Sequence, residues 1–90
     1  MNPKRKEKLP WRELDGRAVI IHPQKNQVHE LNPVATLIWK NVDGSRSVES
    51  LAALIELEFE TSTEQVLGDV KDFLIDLKNR ELLYVDSQSV

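Results

Sequence analysis

The sequence contains no cysteine, so the fold depends on neither a disulfide nor a thiolate-bound metal. Glycine is scarce as well: Gly16, Gly44 and Gly68 stand far apart and form no phosphate-binding loop. No apolar run is long enough for a membrane span or a secretory signal. We therefore expect a soluble, cytoplasmic protein that needs no cofactor.

Ninety residues with 40% apolar content provide one modest core and leave no room for a second domain. We predict a single domain over residues 9–86, a flexible basic N-terminus over residues 1–8 and a C-terminal tail over residues 87–90. The formal net charge of −3 gives no electrostatic argument for nucleic acid.

Residues 11–31 show short apolar runs separated by turn residues, which is typical of a three-stranded antiparallel meander. Asp15-Gly16 favours a two-residue primed turn that places Trp11 opposite Ile20. A second hairpin, centred between Lys25 and Asn26, would place His22 opposite His29. One face of this sheet then carries Trp11, Ala18, Ile20 and Leu31, and the other carries Leu14, Val19, Ile21 and Val28.

Beyond Leu31 the apolar period changes from two to about 3.6, which predicts helices. Asn32-Pro33 is a strong start for the first helix, and Ser47 is placed to cap the second. The third and longest helix should run from about Thr63 to Arg80, with a closing strand or docked tail at residues 82–85. The predicted fold is α+β and winged helix-turn-helix-like, a three-stranded meander followed by three helices.

A search for catalytic or metal-binding chemistry finds little. The two histidines alone make a weak metal site, because a protein zinc site takes three or four ligands. No serine stands in a strand-to-helix elbow with a base beside it, and the carboxylates of Asp72 and Asp76 fit a solvated helix face. We therefore expect no enzymatic activity, no catalytic residue and no metal.

DNA binding is the first alternative, because three helices and a small sheet are also the parts of a winged helix. The helix in the recognition position is net negative and opens with Glu64 and Gln65, whereas a major-groove reader carries basic residues for phosphates and bases. We expect no nucleic-acid partner.

A peptide-binding surface fits the sequence better. The third strand has an open edge that an extended peptide can use for backbone pairing, and it contains no proline or lysine to prevent this. The third helix has a second stripe, mixed apolar and cationic, beside its core stripe. Its residues are Leu67, Lys71, Leu74, Ile75 and Lys78.

Three segments resemble the PqqD family. Leu31-Asn32-Pro33-Val34-Ala35, followed by Asp43-Gly44, looks like the frame of the family's first helix. Ser47-Val48-Glu49-Ser50-Leu51 resembles the start of the second helix, and Asp69-Val70 with Phe73-Leu74 and Leu77 resembles the last one. The similarity covers residues 9–85. One departure is Glu81, where relatives often have Gly before the final two leucines.

The resemblance implies a peptide chaperone, or recognition element, that binds the leader of a ribosomally made precursor peptide and presents it to a modifying enzyme. The namesake's partner is a radical SAM enzyme on the route to pyrroloquinoline quinone. The implied cleft coincides with the open edge and the stripe, so we expect backbone pairing along Gln27, Val28, His29, Glu30 and Leu31. Leu67, Leu74 and Ile75 would supply apolar contacts, and Lys71 and Lys78 would meet leader carboxylates.

Two points stay open from the sequence. The face made of Leu14, Val19, Ile21 and Val28 would be covered by a second copy in a homodimer, by the modifying enzyme or by the C-terminal tail. A structural subunit that binds the enzyme without any peptide is a further alternative.

Overall fold

Two-residue strands lie near both ends of the chain, with three longer strands and three helices between them. The computed structural model describes residues 2–61 and 63–85. The strands are β1 (Lys4–Arg5), β2 (Trp11–Leu14), β3 (Arg17–His22), β4 (Gln27–Glu30) and β5 (Leu83–Tyr84). The helices are α1 (Pro33–Asn41), α2 (Val48–Phe59) and α3 (Thr63–Asn79). The predicted α+β fold, a meander of β2, β3 and β4 followed by three helices, is confirmed.

The first hairpin has the predicted register. Trp11 pairs with Ile20, and Leu14 pairs with Arg17 across the Asp15-Gly16 turn. Both turn residues have positive φ, 53° at Asp15 and 77° at Gly16, as a primed two-residue turn requires.

The predicted register of the second hairpin is wrong by two residues. His22 pairs with Gln27, and Ile20 pairs with His29. The reason is a four-residue loop: the Lys25 amide bonds to the His22 carbonyl, and Asn26 takes a left-handed φ of 51° before β4 begins. Because side chains alternate with period two, the shift leaves every residue of β4 on its predicted face.

The predicted helix caps are confirmed. The Asn32 side chain accepts a hydrogen bond of 2.8 Å from the Ala35 amide, and Pro33 occupies the first turn, where it has no amide to leave unpaired. Ser47 accepts a hydrogen bond of 3.1 Å from the Ser50 amide at the start of α2. The three helices and the inner face of the sheet enclose the core, in which Ile20, Trp39 and Leu74 are fully buried.

The N-terminal segment is not the solvated tail that the sequence suggests. Lys4 pairs with Tyr84 and Arg5 with Leu83 in an antiparallel ladder, which also makes β5 the predicted closing strand. The Arg5 guanidinium donates a hydrogen bond of 2.6 Å to the Trp39 carbonyl and lies within 5.7 Å of the ring centres of Trp11 and Trp39. Cation–π contact with two aromatic rings fixes this segment to the domain. Residues 87–90, predicted as a tail, lie outside the described residues.

Glu81 adopts a left-handed conformation, with φ of 60°, at the position where relatives often have Gly. Its carboxylate is paired with Lys25, and both side chains are about half exposed. Left-handed backbone costs a non-glycine residue roughly 1 kcal/mol, whereas an exposed ion pair contributes about 0–1 kcal/mol. The strain is therefore expected to outweigh the ion pair.

We predict that Glu81→Gly raises the free energy of unfolding by about 0.5 kcal/mol, a small net gain because glycine also gains freedom in the unfolded chain. Urea denaturation measures the effect. Glu81→Gln is the matched control, since it removes the ion pair and keeps the strain, and it should be slightly less stable than the wild type. A Glu81→Gly variant less stable than this control would contradict the argument.

The outer face of the sheet is exposed, as far as the described residues show. Leu14, Ile21 and Val28 are 54%, 45% and 67% exposed, and an ion pair between Arg17 and Glu30 crosses the same face at 2.9 Å. The C-terminal tail, one proposed cover, lies beyond the described residues. No helix in the described part of the chain is long and apolar enough to cross a membrane.

Candidate peptide-binding cleft

The strand order β2-β3-β4 places β2 and β4 at the two edges of the sheet, and β4 is the edge predicted to bind a peptide. The Leu31 amide donates a hydrogen bond of 2.8 Å to the Ala18 carbonyl, so the backbone groups of Leu31 point toward β3. Because these directions alternate along a strand, Gln27 and His29 also face β3, whereas Val28 and Glu30 present their amides and carbonyls to the open edge. The edge offers these backbone groups to an added strand.

Thr36 of α1 completes the ladder at the far end of β4. Its hydroxyl accepts a hydrogen bond of 2.7 Å from the buried Ala18 amide and donates one of 3.3 Å to the Leu31 carbonyl. The Thr36 side chain thereby links β3 to the end of β4, in place of a direct backbone hydrogen bond from Ala18 to Leu31. Because α1 holds this end of the ladder, the position of β4 is fixed for pairing with an added strand.

The side chains of the predicted β4 site divide between two faces. Gln27, Val28 and Glu30 are exposed, whereas His29 and Leu31 are 9% and 5% exposed and point toward the helices. A strand added to β4 would therefore alternate its own side chains between the outer face, beside Val28, and an inner cleft, beside His29.

One flank of α3 lines that inner cleft. Arg80, just beyond the end of the helix, places Nη1 3.2 Å from Nδ1 of His29 and pairs with Asp76 at 3.2 Å. Farther along, Asp69 and Phe73 line a cavity together with Asn32, the residue that follows Leu31. Asp69, Phe73, Asp76 and Arg80 are spaced i, i+4, i+7 and i+11, so they form one stripe along the helix.

The α3 residues predicted from the sequence lie elsewhere. Leu74 is fully buried and belongs to the core, so it offers no surface to a peptide. Lys71 follows Asp69 by two residues, which places it about 200° around the helix from the stripe that meets β4. Leu67, Ile75 and Lys78 share the Lys71 side of the helix. Contact between these four residues and a peptide stays a prediction, and the structure does not bring them to the β4 edge.

Sequence reasoning missed the opposite stripe because its signal is weak. Phe73 fits the apolar repeat of the helix, and Asp76, together with Asp72, fits a solvated helix face. Gly68 lies on neither stripe, and a Cβ added there would meet no described atom within 4 Å. No described atom therefore requires a glycine at this position.

The cavity at the end of the cleft has a volume of about 370 Å³ and lies where all three helices meet. Its apolar lining is Val34, Ala35, Ile38, Ile55, Phe59, Val66, Val70 and Phe73. Phe59 is 40% exposed and Val34 38% exposed, so apolar surface reaches the mouth. An apolar side chain or the stem of a longer one can be buried there.

His29 is the titrating group that β4 turns toward the cleft. Burial lowers the pKa of His29 below its usual 6.5, and the charge of Arg80 lowers it further, with a smaller effect from His22 and an opposing one from Asp76. Since Nδ1 faces the Arg80 guanidinium, the neutral imidazole accepts this hydrogen bond. The folded protein therefore favours neutral His29.

We predict that the protein loses stability as the pH falls below about 6.5, because the unfolded chain then binds a proton at His29 more readily than the folded one does. Above that pH this contribution is complete. Urea denaturation at about pH 7.5 and about pH 5.5 tests the direction, since histidine titrates in this range. His29→Gln should remove most of the difference, and an unchanged pH dependence in that variant would contradict the assignment.

The two histidines are diagonal neighbours rather than directly opposed, given the observed register. Among the described residues no group of three or more His, Cys, Asp or Glu side chains could hold a metal ion.

Comparison with known proteins agrees with this geometry. The sequence model of the PqqD family, described as coenzyme PQQ synthesis protein D, matches residues 17–83. The chain belongs to the PqqD family. The match begins in β3 and ends in β5, so it includes the open edge and all three helices of this PqqD-family protein. No curated protein matches the chain significantly.

Solved structures share the fold of this PqqD-family chain. TbiB1, determined in complex with the TbiA(beta) leader peptide, is 28% identical with a TM-score of 0.83, and the match covers 92% of this chain and 99% of TbiB1. A lasso peptide synthetase B1 complexed with the leader peptide is 16% identical, with a TM-score of 0.83, and the match covers 94% of this chain and 100% of that one.

A third similar structure is itself named as a PqqD protein. The solution structure of the PqqD part of Methylobacterium extorquens PqqCD, described as a stand-alone recognition element for ribosomally synthesized and post-translationally modified peptides, is 19% identical. Its TM-score is 0.75, and the match covers 92% of this chain and 88% of that one. At this identity the likeness concerns the fold.

Proposed function

We propose that this protein binds the leader region of a ribosomally made precursor peptide by strand addition to β4 and presents the peptide to a modifying enzyme. The observation that carries the proposal is the open β4 edge, with the outward amides and carbonyls of Val28 and Glu30, beside a cleft that α3 borders and that ends in an apolar cavity. TbiB1, which shares this fold at 28% identity, was solved with a leader peptide bound.

In strand addition, the backbone and the side chains of the peptide make different contributions to binding. Backbone pairing with β4 supplies affinity that is largely independent of sequence, and the inward side chains of the peptide enter the cleft and supply selectivity. Micromolar affinity, about −8 kcal/mol, suits a carrier that has to release its cargo.

The enzyme partner is a separate question. The namesake's partner is a radical SAM enzyme, so an enzyme of that class encoded beside this chain's gene is the first candidate. The outer face made of Leu14, Val19, Ile21 and Val28 is available to the enzyme or to a second copy of the chain.

An amide NMR titration tests the proposal. The labelled domain is titrated with a synthetic leader of the short precursor peptide encoded beside its gene, with a scrambled leader and duplex DNA as controls. We expect shifts concentrated at residues 27–31 and along the α3 stripe from Asp69 to Arg80. Shifts along Leu67, Lys71, Ile75 and Lys78 instead would restore the sequence-based site. A response to DNA that weakens with salt, without a response to the leader, would favour a regulator.

A further inference from the structure

The cavity at the end of the cleft has one charged residue in its lining. The other described residues that line the cavity are apolar, except for the uncharged polar residues Asn32 and Thr61. The Asn32 side chain already accepts the Ala35 amide as the cap of α1. Asp69 is thus the lining residue that can make the cavity prefer a bound side chain of one charge.

Asp69 is exposed, and its side chain has no ion-pair or hydrogen-bond partner among the described residues. Asp76, on the same stripe, differs because Arg80 pairs with it at 3.2 Å. A peptide lying in the cleft would displace water from the Asp69 carboxylate, and losing that hydration is unfavourable unless a cation or a hydrogen-bond donor replaces it.

We propose that Asp69 selects a leader peptide with a lysine or arginine at the position that enters this cavity. The inference rests on the proposed peptide binding and names the class of peptide. The aliphatic stem of such a residue packs against Phe59 and Phe73, and its cationic end meets the carboxylate at the mouth. This preference is the reverse of the one predicted for Lys71 and Lys78, which would favour leader carboxylates.

The aromatic and acidic residues that line the cavity explain why a cationic side chain would fit there. Phe59, which is 40% exposed, and the partly buried Phe73 line the same cavity as Asp69, and a cation between a ring face and a carboxylate is favoured by both. An acidic side chain in the same place would bring two negative charges together in a partly desolvated cleft. The selection therefore works by attraction of one charge and exclusion of the other.

Fluorescence anisotropy with the labelled leader of the neighbouring precursor peptide tests this inference. We expect Asp69→Asn to weaken binding about fivefold and Asp69→Lys to weaken it more. The matched control is Asp72→Asn, an exposed carboxylate one turn away on the same helix, which should bind like the wild type. Replacing one basic residue of the leader by Glu should weaken binding to the wild type, and Asp69→Lys should recover binding of that altered leader.

The outcomes separate the two proposals. If Asp69→Asn and Asp69→Lys bind the leader as the wild type does, while Val28→Pro loses it, strand addition stands and the charge selection is wrong. A leader that binds tightly without any lysine or arginine would overturn it as well. If Val28→Pro also binds normally, the proposed function itself fails. Because Asp69 is exposed, its variants are expected to fold, and circular dichroism checks that each variant does so.

Discussion

Val28→Pro should weaken leader-peptide binding at least tenfold while the domain stays folded. The Val28 amide points to the open edge of β4, so proline removes the donor that an added strand needs in the middle of the ladder. The ring also stands where the peptide backbone has to approach. One lost backbone hydrogen bond is worth about 1 kcal/mol, and the steric conflict brings the loss beyond 1.4 kcal/mol, a factor of ten.

The expected effect on the domain itself is small. Val28 is 67% exposed, and its amide makes no bond to β3, so neither the core nor the existing ladder depends on it. Val28→Ala is the control, because it removes the side chain and keeps the amide, and it should bind the peptide nearly normally. Calorimetry measures the affinities, and an amide spectrum shows whether the fold is kept. A folded Val28→Pro domain with wild-type affinity would exclude pairing at this edge.

Removal of residues 1–8 is expected to destabilise the domain by about 2–3 kcal/mol, the second large effect. The segment makes backbone hydrogen bonds from Arg5 to Val42 (2.8 Å), from Lys6 to Leu82 (3.1 Å) and from Gly44 to Pro3 (3.0 Å), and Arg5 bonds to the Trp39 carbonyl as well. Each contributes roughly 0.5–1.5 kcal/mol, and the freedom regained by the missing residues offsets part of the sum.

Thermal unfolding measures this loss, which corresponds to a fall in Tm of about 10–15 °C for a domain of this size. Arg5→Ala should produce part of the loss, because it removes the cation between Trp11 and Trp39 and the bond to the Trp39 carbonyl. Lys8→Ala, a change at an exposed position of the same segment, is the control. If the shortened protein unfolds at the wild-type temperature, the segment is the solvated tail that its composition suggests.

Local signals predicted much of this fold. The Asp15-Gly16 turn fixed the register of β2 and β3, because a two-residue primed turn leaves one pairing. Asn32-Pro33 and Ser47 placed the first two helix starts, because a cap is a contact within four residues. The predicted register of the second hairpin was wrong, since Pro23-Gln24-Lys25-Asn26 contains no dipeptide that specifies one loop length.

The cleft was predicted in part. That β4 is an edge strand followed from the strand order, which a meander dictates. The flank of α3 that faces this edge did not follow, because two stripes border the core stripe of a helix and the sequence does not say which of them meets the sheet. The mixed stripe around Lys71 looked more suitable for a peptide, yet Arg80 and Asp76 are the residues beside His29.

The sequence by itself determined the class of fold, the caps, the faces of the strands and the resemblance to the PqqD family. These depend on turn chemistry and on periods of two and 3.6, which neighbouring residues specify. Only the tertiary structure decided that residues 4–5 pair with residues 83–84, that Thr36 joins Ala18 to Leu31, and that Asp69 borders the apolar cavity. Such contacts join distant segments, and their geometry is set by the packing of the whole core.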